Sequence, residues 1–327
     1  MKKTLIPAIL AAVALLCAGS CAKDVTETND ELQARILKSW IETYYPGLEA
    51  SESGLYVLEK TPGIGPEIID DSCYVGMSLT IRTLDGTIIS TIDEALCRQL
   101  GIYSRTAQYD CNFYKFSNLK KGVQEMLRGM TTGSHVVGVI PPKLLDVSSG
   151  TNIVDGDGVS KIYDITVHLK TDDINQFQFD RIYDVLPSLG MSRDSSSYGM
   201  WMKKYPPINV TDTLSSSSSI YFYYVGRYLD GKIFDTNIED TAKKYNIYSS
   251  SKSYTYLTFK RDETEAKAIS NNSFVKGFSK TLWNMNYEES CTTIFYSGLG
   301  YGTEGSGDIR GYEPLRFEIY TLAKSTN

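Results

Sequence analysis

The chain repeats part of its own sequence at a spacing of 145 residues, and this repeat restricts its possible folds more than any other feature. SGLYVLEK (53–60) matches SYGMWMKK (197–204) with glycine aligned on glycine. Leu84-Asp85-Gly86 falls at the same offset from Leu229-Asp230-Gly231. Because two separated matches share one offset, the repeat predicts two copies of one structural unit.

Each copy is predicted to be an α+β unit of about 150 residues, with a leading helix, an N-terminal strand and an antiparallel sheet curled over a short helix. The leading helices are expected at 31–45, with Ile36, Trp40 and Tyr44 on one face, and at 173–189. The boundary is expected near 170–173, where an alternating strand gives way to polar residues. We therefore define a first unit, residues 31–171, and a second unit, residues 172–327.

The N-terminus has the pattern of an export signal. Lys2 and Lys3 precede an apolar run of 13 residues, 5–17, which is shorter than the roughly 20 residues that span a bilayer. Ala18-Gly19-Ser20 before Cys21 resembles the lipobox of bacterial lipoproteins, in which the cysteine is acylated. We expect residues 1–20 to be a lipoprotein signal peptide and 21–30 a tether that anchors an exported protein to the cell envelope, on either its periplasmic or its surface side. The alternative is an ordinary cleaved signal.

The charge balance argues against nucleic acid as a partner. The chain carries 33 basic and 39 acidic residues, a formal net charge of −6, and no basic block that could neutralise phosphates. Hydrophobic residues make up 42% of the sequence, enough to build two ordinary cores.

Four segments of the second unit resemble the FKBP-type peptidyl-prolyl cis-trans isomerases. They are IYFYYVGRYLDGKIFDTN (220–237), FVKGFSKTLWNM (274–285), CTTIFYSGLGYG (291–302) and PLRFEIYTL (314–322). The resemblance implies two tandem FKBP-like domains. It also implies a site that is an aromatic-walled pocket without metal or cofactor, and substrates that are proline-containing unfolded or extended polypeptides.

The resemblance assigns roles to individual residues of the second unit. Tyr301 would direct its hydroxyl at the substrate carbonyl, and Phe234 and Asp235 would supply one wall and one polar group, so these three are the candidate catalytic residues. Candidate substrate-binding residues are Tyr224, Phe274, Val275 (through its backbone amide), Phe278 (as the floor), Ile309 and Phe317. The family usually has tryptophan at the floor.

Such a pocket would act without covalent chemistry. The barrier of roughly 18–20 kcal/mol arises from amide resonance, which water favours by stabilising the planar, charge-separated form. Binding the twisted imide in a dry apolar pocket therefore lowers the barrier.

The first unit departs from the pattern. Leu79, Ile89, Ser90 and Val123 stand where the second unit has Tyr224, Phe234, Asp235 and Phe278. We expect a degenerate unit that is structural or binds peptides. In the second unit, 38 residues separate Asp235 from Phe274, and the extra length (238–273) is expected to be either a substrate-contacting flap or an obstruction.

The cysteines and histidines say less about fold and function. A disulfide between Cys97 and Cys111 is one alternative, whereas Cys73 and Cys291 are expected to be buried as small hydrophobes. His135 and His168 are the only histidines and lack the partners of a metal site.

Two further functions stay open beside an isomerase. The chain could be a non-catalytic lipoprotein that binds peptides or protein partners as a chaperone-like scaffold. It could also be a component of an envelope complex that docks through its first unit.

Overall fold

The computed structural model describes residues 27–145, 158–196, 198–207 and 214–324. The α-helices of these residues are α1 Asn29–Tyr44, α2 Glu94–Gln99, α3 Lys121–Leu127, α4 Ile174–Val185, α5 Glu239–Lys244, α6 Glu265–Asn271 and α7 Lys276–Trp283. The strands are β1 Tyr56–Thr61, β2 Tyr74–Thr83, β3 Ile88–Thr91, β4 Asn112–Lys115, β5 His135–Ile140, β6 Lys161–Thr171, β7 Met200–Tyr205, β8 Ser219–Arg227, β9 Ile233–Thr236, β10 Leu257–Lys260, β11 Ser290–Phe295 and β12 Leu315–Thr321. The expected signal peptide and Cys21 lie outside the described residues.

Two antiparallel sheets have the same strand topology. In the first, the order is β1-β5-β6-β2-β3, and β4 also pairs with β2. In the second, β7, β11, β12 and β8 follow one another in the same way, and both β9 and β10 pair with β8. The predicted α+β class and the two units, each with its own antiparallel sheet, are therefore confirmed. The unit boundary stays a prediction; β6 ends at Thr171 and α4 begins at Ile174.

In each unit a glycine lets the short helix approach the sheet closely. A Cβ added to Gly122 in α3 would lie 2.3 Å from Ile140 Cγ2, and one added to Gly277 in α7 would lie 2.5 Å from Phe295 Cγ. Since Ile140 ends β5 and Phe295 ends β11, the two contacts are equivalent. Any larger residue would push the helix away from the core.

The leading helices form where the sequence predicts them. Thr28 and Glu31 make a capping box on α1, and Asp173 caps α4 by accepting hydrogen bonds from the next amides. Of the expected face of α1, Trp40 packs against the core, whereas Ile36 and Tyr44 are 40% and 65% exposed and Leu37 and Ile41 are buried in their place. Both sets have helical spacing, so contact with the sheet decides which one packs.

The four cysteines of the described chain are buried thiols, and Cys97 and Cys111 are not joined. Burial raises the pKa of Cys111 to about 11 and that of Cys291 to about 12. Among the described residues, no helix combines the length and hydropathy needed to cross a bilayer.

Candidate active site in the second unit

The aromatic floor of the candidate site is assembled from three elements of the second unit. Tyr224 of β8, Phe278 of α7 and Phe317 of β12 pack edge to face or tilted, with ring centroids 5.6 Å apart for Tyr224–Phe278, 4.8 Å for Phe278–Phe317 and 6.2 Å for Tyr224–Phe317. Phe234 of β9 adds a wall 5.5 Å from Phe317. The curl of the sheet over α7 brings these distant positions together.

The remaining predicted apolar residues border the same floor. Phe274 is half-buried, with its ring 5.4 Å from that of Phe278. Ile309 is 8% exposed and belongs to the same core cluster. Val275 is the N-cap residue of α7, so its amide precedes the helical hydrogen-bond ladder.

Two polar groups form the open edge of the floor. The Tyr224 hydroxyl donates a hydrogen bond to the Asp235 carboxylate, whose side chain is 41% exposed. Tyr301 is 37% exposed, and burial together with the charge of Asp235 raises the pKa of its hydroxyl above the ordinary tyrosine value. Tyr301 therefore keeps its proton at neutral pH and can donate a hydrogen bond to a carbonyl.

The extra segment of the second unit reaches the polar edge. Lys252 forms an ion pair with Asp235, and the Tyr248 and Tyr254 rings stack 5.2 Å apart beside it. Buried Asn237 donates to the carbonyl of Thr255 over 3.0 Å, fixing the segment to the end of β9. Sequence reasoning missed Lys252 and Asn237, because no motif marks a lysine 17 residues after its partner.

A tightly folded loop, residues 302–312, follows Tyr301 and carries Ile309. A Cβ added to Gly305 would lie 2.2 Å from the Ile309 oxygen, and one added to Gly311 would lie 1.9 Å from the Thr303 oxygen. Tyr312 has a φ of +60°, a left-handed conformation that is strained for a tyrosine. Such a conformation persists only where the surroundings hold it.

The first unit has a cavity beside the equivalent position. It encloses about 840 Å³ between residues of the first unit, Leu79, Ile89 and Ser90 among them, and the 303–312 segment of the second. At the positions equivalent to Tyr224, Phe234 and Asp235 it has Leu79, Ile89 and Ser90, as the sequence predicts, and its aromatic lining comes instead from Tyr109, Phe113, Tyr114 and Tyr312.

The family described as FKBP-type peptidyl-prolyl cis-trans isomerase matches residues 211–322. The second unit contains an FKBP-type domain. The match covers all nine predicted site residues, and it supports the interpretation of the chain as a peptidyl-prolyl isomerase. No curated protein matches the chain.

The chain is also similar to solved structures of FKBP-type proteins. The three FKBP domains of wheat FKBP73 match with 14% identity and a TM-score of 0.29, over 84% of this chain and 96% of that one. FkpA from Escherichia coli matches with 19% identity and a TM-score of 0.32, over 52% and 73%. A peptidyl-prolyl isomerase from Pseudomonas syringae matches with 22% identity and a TM-score of 0.30, over 48% and 99%. These likenesses are weak, so the proposals below rest on the site geometry and the family match.

Within the described residues, no group of three or more His, Cys, Asp or Glu side chains is arranged to hold a metal ion.

Proposed function

We propose that the second unit isomerises X–Pro bonds in unfolded or extended polypeptides. The observation that carries this proposal is the aromatic floor of half-buried Tyr224 with buried Phe278 and Phe317, beside which Tyr301 and Asp235 are partly exposed. A floor of this kind would exclude water from a bound prolyl ring, while the partly exposed edge would lie beside the chain that flanks it.

In the proposed mechanism, the pocket favours the twisted imide over the planar one. The aromatic floor removes water that would stabilise the charge-separated planar form. The Tyr301 hydroxyl and the Val275 amide would each donate a hydrogen bond to a peptide carbonyl and so fix the orientation of the substrate. Asp235 accepts a hydrogen bond from the Tyr224 hydroxyl and so holds one ring of the floor.

The clients and the location of the protein are also proposals. The lysines and apolar run before Cys21 support export and lipid attachment to the bacterial cell envelope. A lipid tether would place the isomerase where newly exported chains are still unfolded, which suits a site that accepts extended substrates.

The test is cis-to-trans conversion of a series of Xaa-Pro peptides by the full chain, beside a Tyr301→Phe, Asp235→Ala double variant. Acceleration that the double variant loses would support the proposed site. No acceleration across the series by folded, monodisperse protein would overturn it.

The second candidate function is a non-catalytic scaffold that binds extended peptides. It is favoured by the Lys252–Asp235 ion pair, which occupies one polar group of the site, and by the cavity of the first unit. Peptide binding without acceleration, retained in the double variant, would select this function.

A further inference from the structure

A short segment of the first unit, residues 102–111, lies against the part of the second unit that carries the candidate site. We call it the brace. The sequence places it between α2 and β4, where the second unit has its own extra segment. It contacts two regions of the second unit: the 302–312 loop, and the β8–β9 turn, where Gln108 donates to Asp230 over 3.2 Å.

The brace forms hydrogen bonds with the loop residues on either side of Ile309. The hydroxyls of Ser104 and Thr106 donate to the carboxylate of Asp308, which precedes Ile309. On the other side, the guanidinium of Arg310 donates to the Asp110 carboxylate and to the carbonyl of Cys111. Ile309 is thus flanked on both sides by residues that the first unit holds.

The Arg310 contact is buried and charged. The Arg310 side chain is 5% exposed, and its Nε donates to Glu313 over 2.6 Å. Glu313 also accepts from Arg181 of α4 over 3.0 Å. Burial alone would lower the pKa of Arg310, but the charges of Glu313 and Asp110 outweigh it and raise the pKa. Removing a partner from such a network leaves a buried charge less well compensated.

The brace also touches the turn that leads into Phe234. The buried Tyr228 hydroxyl lies 2.8 Å from the Thr106 carbonyl and 3.1 Å from the Asp308 carbonyl, so it links brace and loop. The Tyr228 ring packs 5.1 Å from that of Phe234. Lys232 adds a bond to the carbonyl of Ala107.

An apolar cluster closes the contact. Cys111 and Phe113 of the first unit pack with Ile174 and Tyr312 of the second, and Tyr312 meets Tyr74 at 5.5 Å. Tyr312 is also the residue with the strained φ of +60°. Because its side chain packs against the first unit, that unit helps to hold this conformation.

We propose that the first unit is a positioning element of the isomerase site, and that Asp110 and Arg310 are its main positioning residues. This inference rests on the proposed function. Through them the brace fixes the 302–312 loop, which follows Tyr301 and carries Ile309, and, through Tyr228, the wall at Phe234. The first unit thus acts on the reaction without touching the substrate.

The test uses the full chain with Asp110→Asn, which removes the charge from an exposed side chain in the first unit, outside the candidate site. We expect kcat/KM for an Xaa-Pro peptide to fall roughly 2- to 10-fold, with the loss mainly in kcat, since the aromatic floor stays intact. Adding Ser104→Ala and Thr106→Ala should deepen the loss. Asp110→Glu, which retains the carboxylate, should restore activity.

The matched control is Asp71→Asn. Asp71 is 70% exposed and paired with Arg128 of its own unit, whereas Asp110 is 64% exposed and paired across the units. The control should therefore leave kcat/KM unchanged. A second readout is independent of catalysis: alkylation of Cys111, followed by peptide mass spectrometry, should accelerate in Asp110→Asn and not in Asp71→Asn.

The outcomes are distinguishable. An active parent chain whose Asp110→Asn and triple variants keep its kcat/KM would overturn the positioning role alone, whatever happens at Cys111. Equal losses in Asp110→Asn and Asp71→Asn would also overturn it, because the effect would then be general destabilisation. An inactive parent chain would remove the proposed function and the positioning role together, and faster Cys111 alkylation would then mark the brace as a structural contact only.

Discussion

An arginine–carboxylate pair crosses the central strands of both units at equivalent positions. Arg82 meets Asp164 between β2 and β6 at 3.0 Å, and Arg227 meets Glu318 between β8 and β12 at 3.1 Å. The turn glycines also match, with φ +89° at Gly86 in the first unit and +90° at Gly231 in the second. These features belong to the framework of the sheet, and both units retain them.

The units differ where side chains face the concave side of the sheet. Val123 and Phe278 occupy the same place beside the matched helix glycines, yet Phe278 meets three other site aromatics, whereas Val123 lies in a core cluster that is mainly aliphatic. Separate sets of residues therefore specify the framework of the sheet and the candidate site. The same sheet framework can therefore form in a unit that lacks the aromatic floor.

The largest difference in stability is expected between two truncations, one at Phe278 and one at the equivalent Val123 of the first unit. Phe278→Ala should lower the free energy of unfolding by about 3–5 kcal/mol, because a ring buried among aromatics leaves a cavity. Val123→Ala should cost about 2 kcal/mol and leave isomerase activity unchanged. Urea unfolding followed by tryptophan fluorescence measures both. Equal costs, or activity lost in Val123→Ala, would contradict the contrast.

The framework pairs offer a second, smaller test. Glu318 bonds both Arg227 and Arg316 and is 17% exposed, so Glu318→Gln should cost about 1–3 kcal/mol by leaving two half-buried arginines short of a charge. Asp164 is 31% exposed, and Asp164→Asn should cost at most about 1 kcal/mol. Thermal unfolding of the two variants gives the comparison, and a larger loss for Asp164→Asn would reverse our ranking.

A substitution of Lys252 tests how the extra segment of the second unit, residues 238–273, is held beside the candidate site. Since Lys252 and Asp235 are 34% and 41% exposed, we expect Lys252→Ala to change stability by less than about 1 kcal/mol. Amide hydrogen exchange should nevertheless accelerate in 245–256, with Lys243→Ala as the control. Unchanged exchange in that segment would show that the ion pair does not hold it.

The smallest effect concerns thiols in the two units. Because the pKa values of Cys111 and Cys291 are raised to about 11 and about 12, alkylation of Cys111 should rise at lower pH than that of Cys291. The raised pKa also predicts how stability depends on pH. Because the folded protein holds the thiol proton more tightly than the unfolded chain does, the protonated thiol favours the native state. The contribution of Cys111 to the free energy of unfolding is fully present below the ordinary thiol pKa of 9.0 and is lost as the pH rises toward about 11. Alkylation at both sites with the same pH profile would contradict the difference.

Much of the site could be predicted because its residues belong to contiguous motifs. The Phe-Asp pair follows a turn marked by glycine, and Phe278 lies one residue after the helix glycine. The structure brings these residues together with Tyr224 and Phe317, and their functional roles stay predictions. Lys252 and Asn237 could not be predicted, because their contacts depend on how a segment without motifs folds back.

The sequence by itself determined the duplication, the α+β class, the leading helices and the positions at which the first unit departs from the aromatic pattern. Each of these follows from local spacing, which sets the period of a helix or strand and the position of a turn. Only the tertiary structure decided which face of α1 packs, and that Cys97 and Cys111 remain separate thiols. It alone also showed that Asp110 of one unit holds Arg310 of the other. Contacts between residues 200 positions apart leave no periodic trace in the chain, because they depend on how two finished surfaces meet.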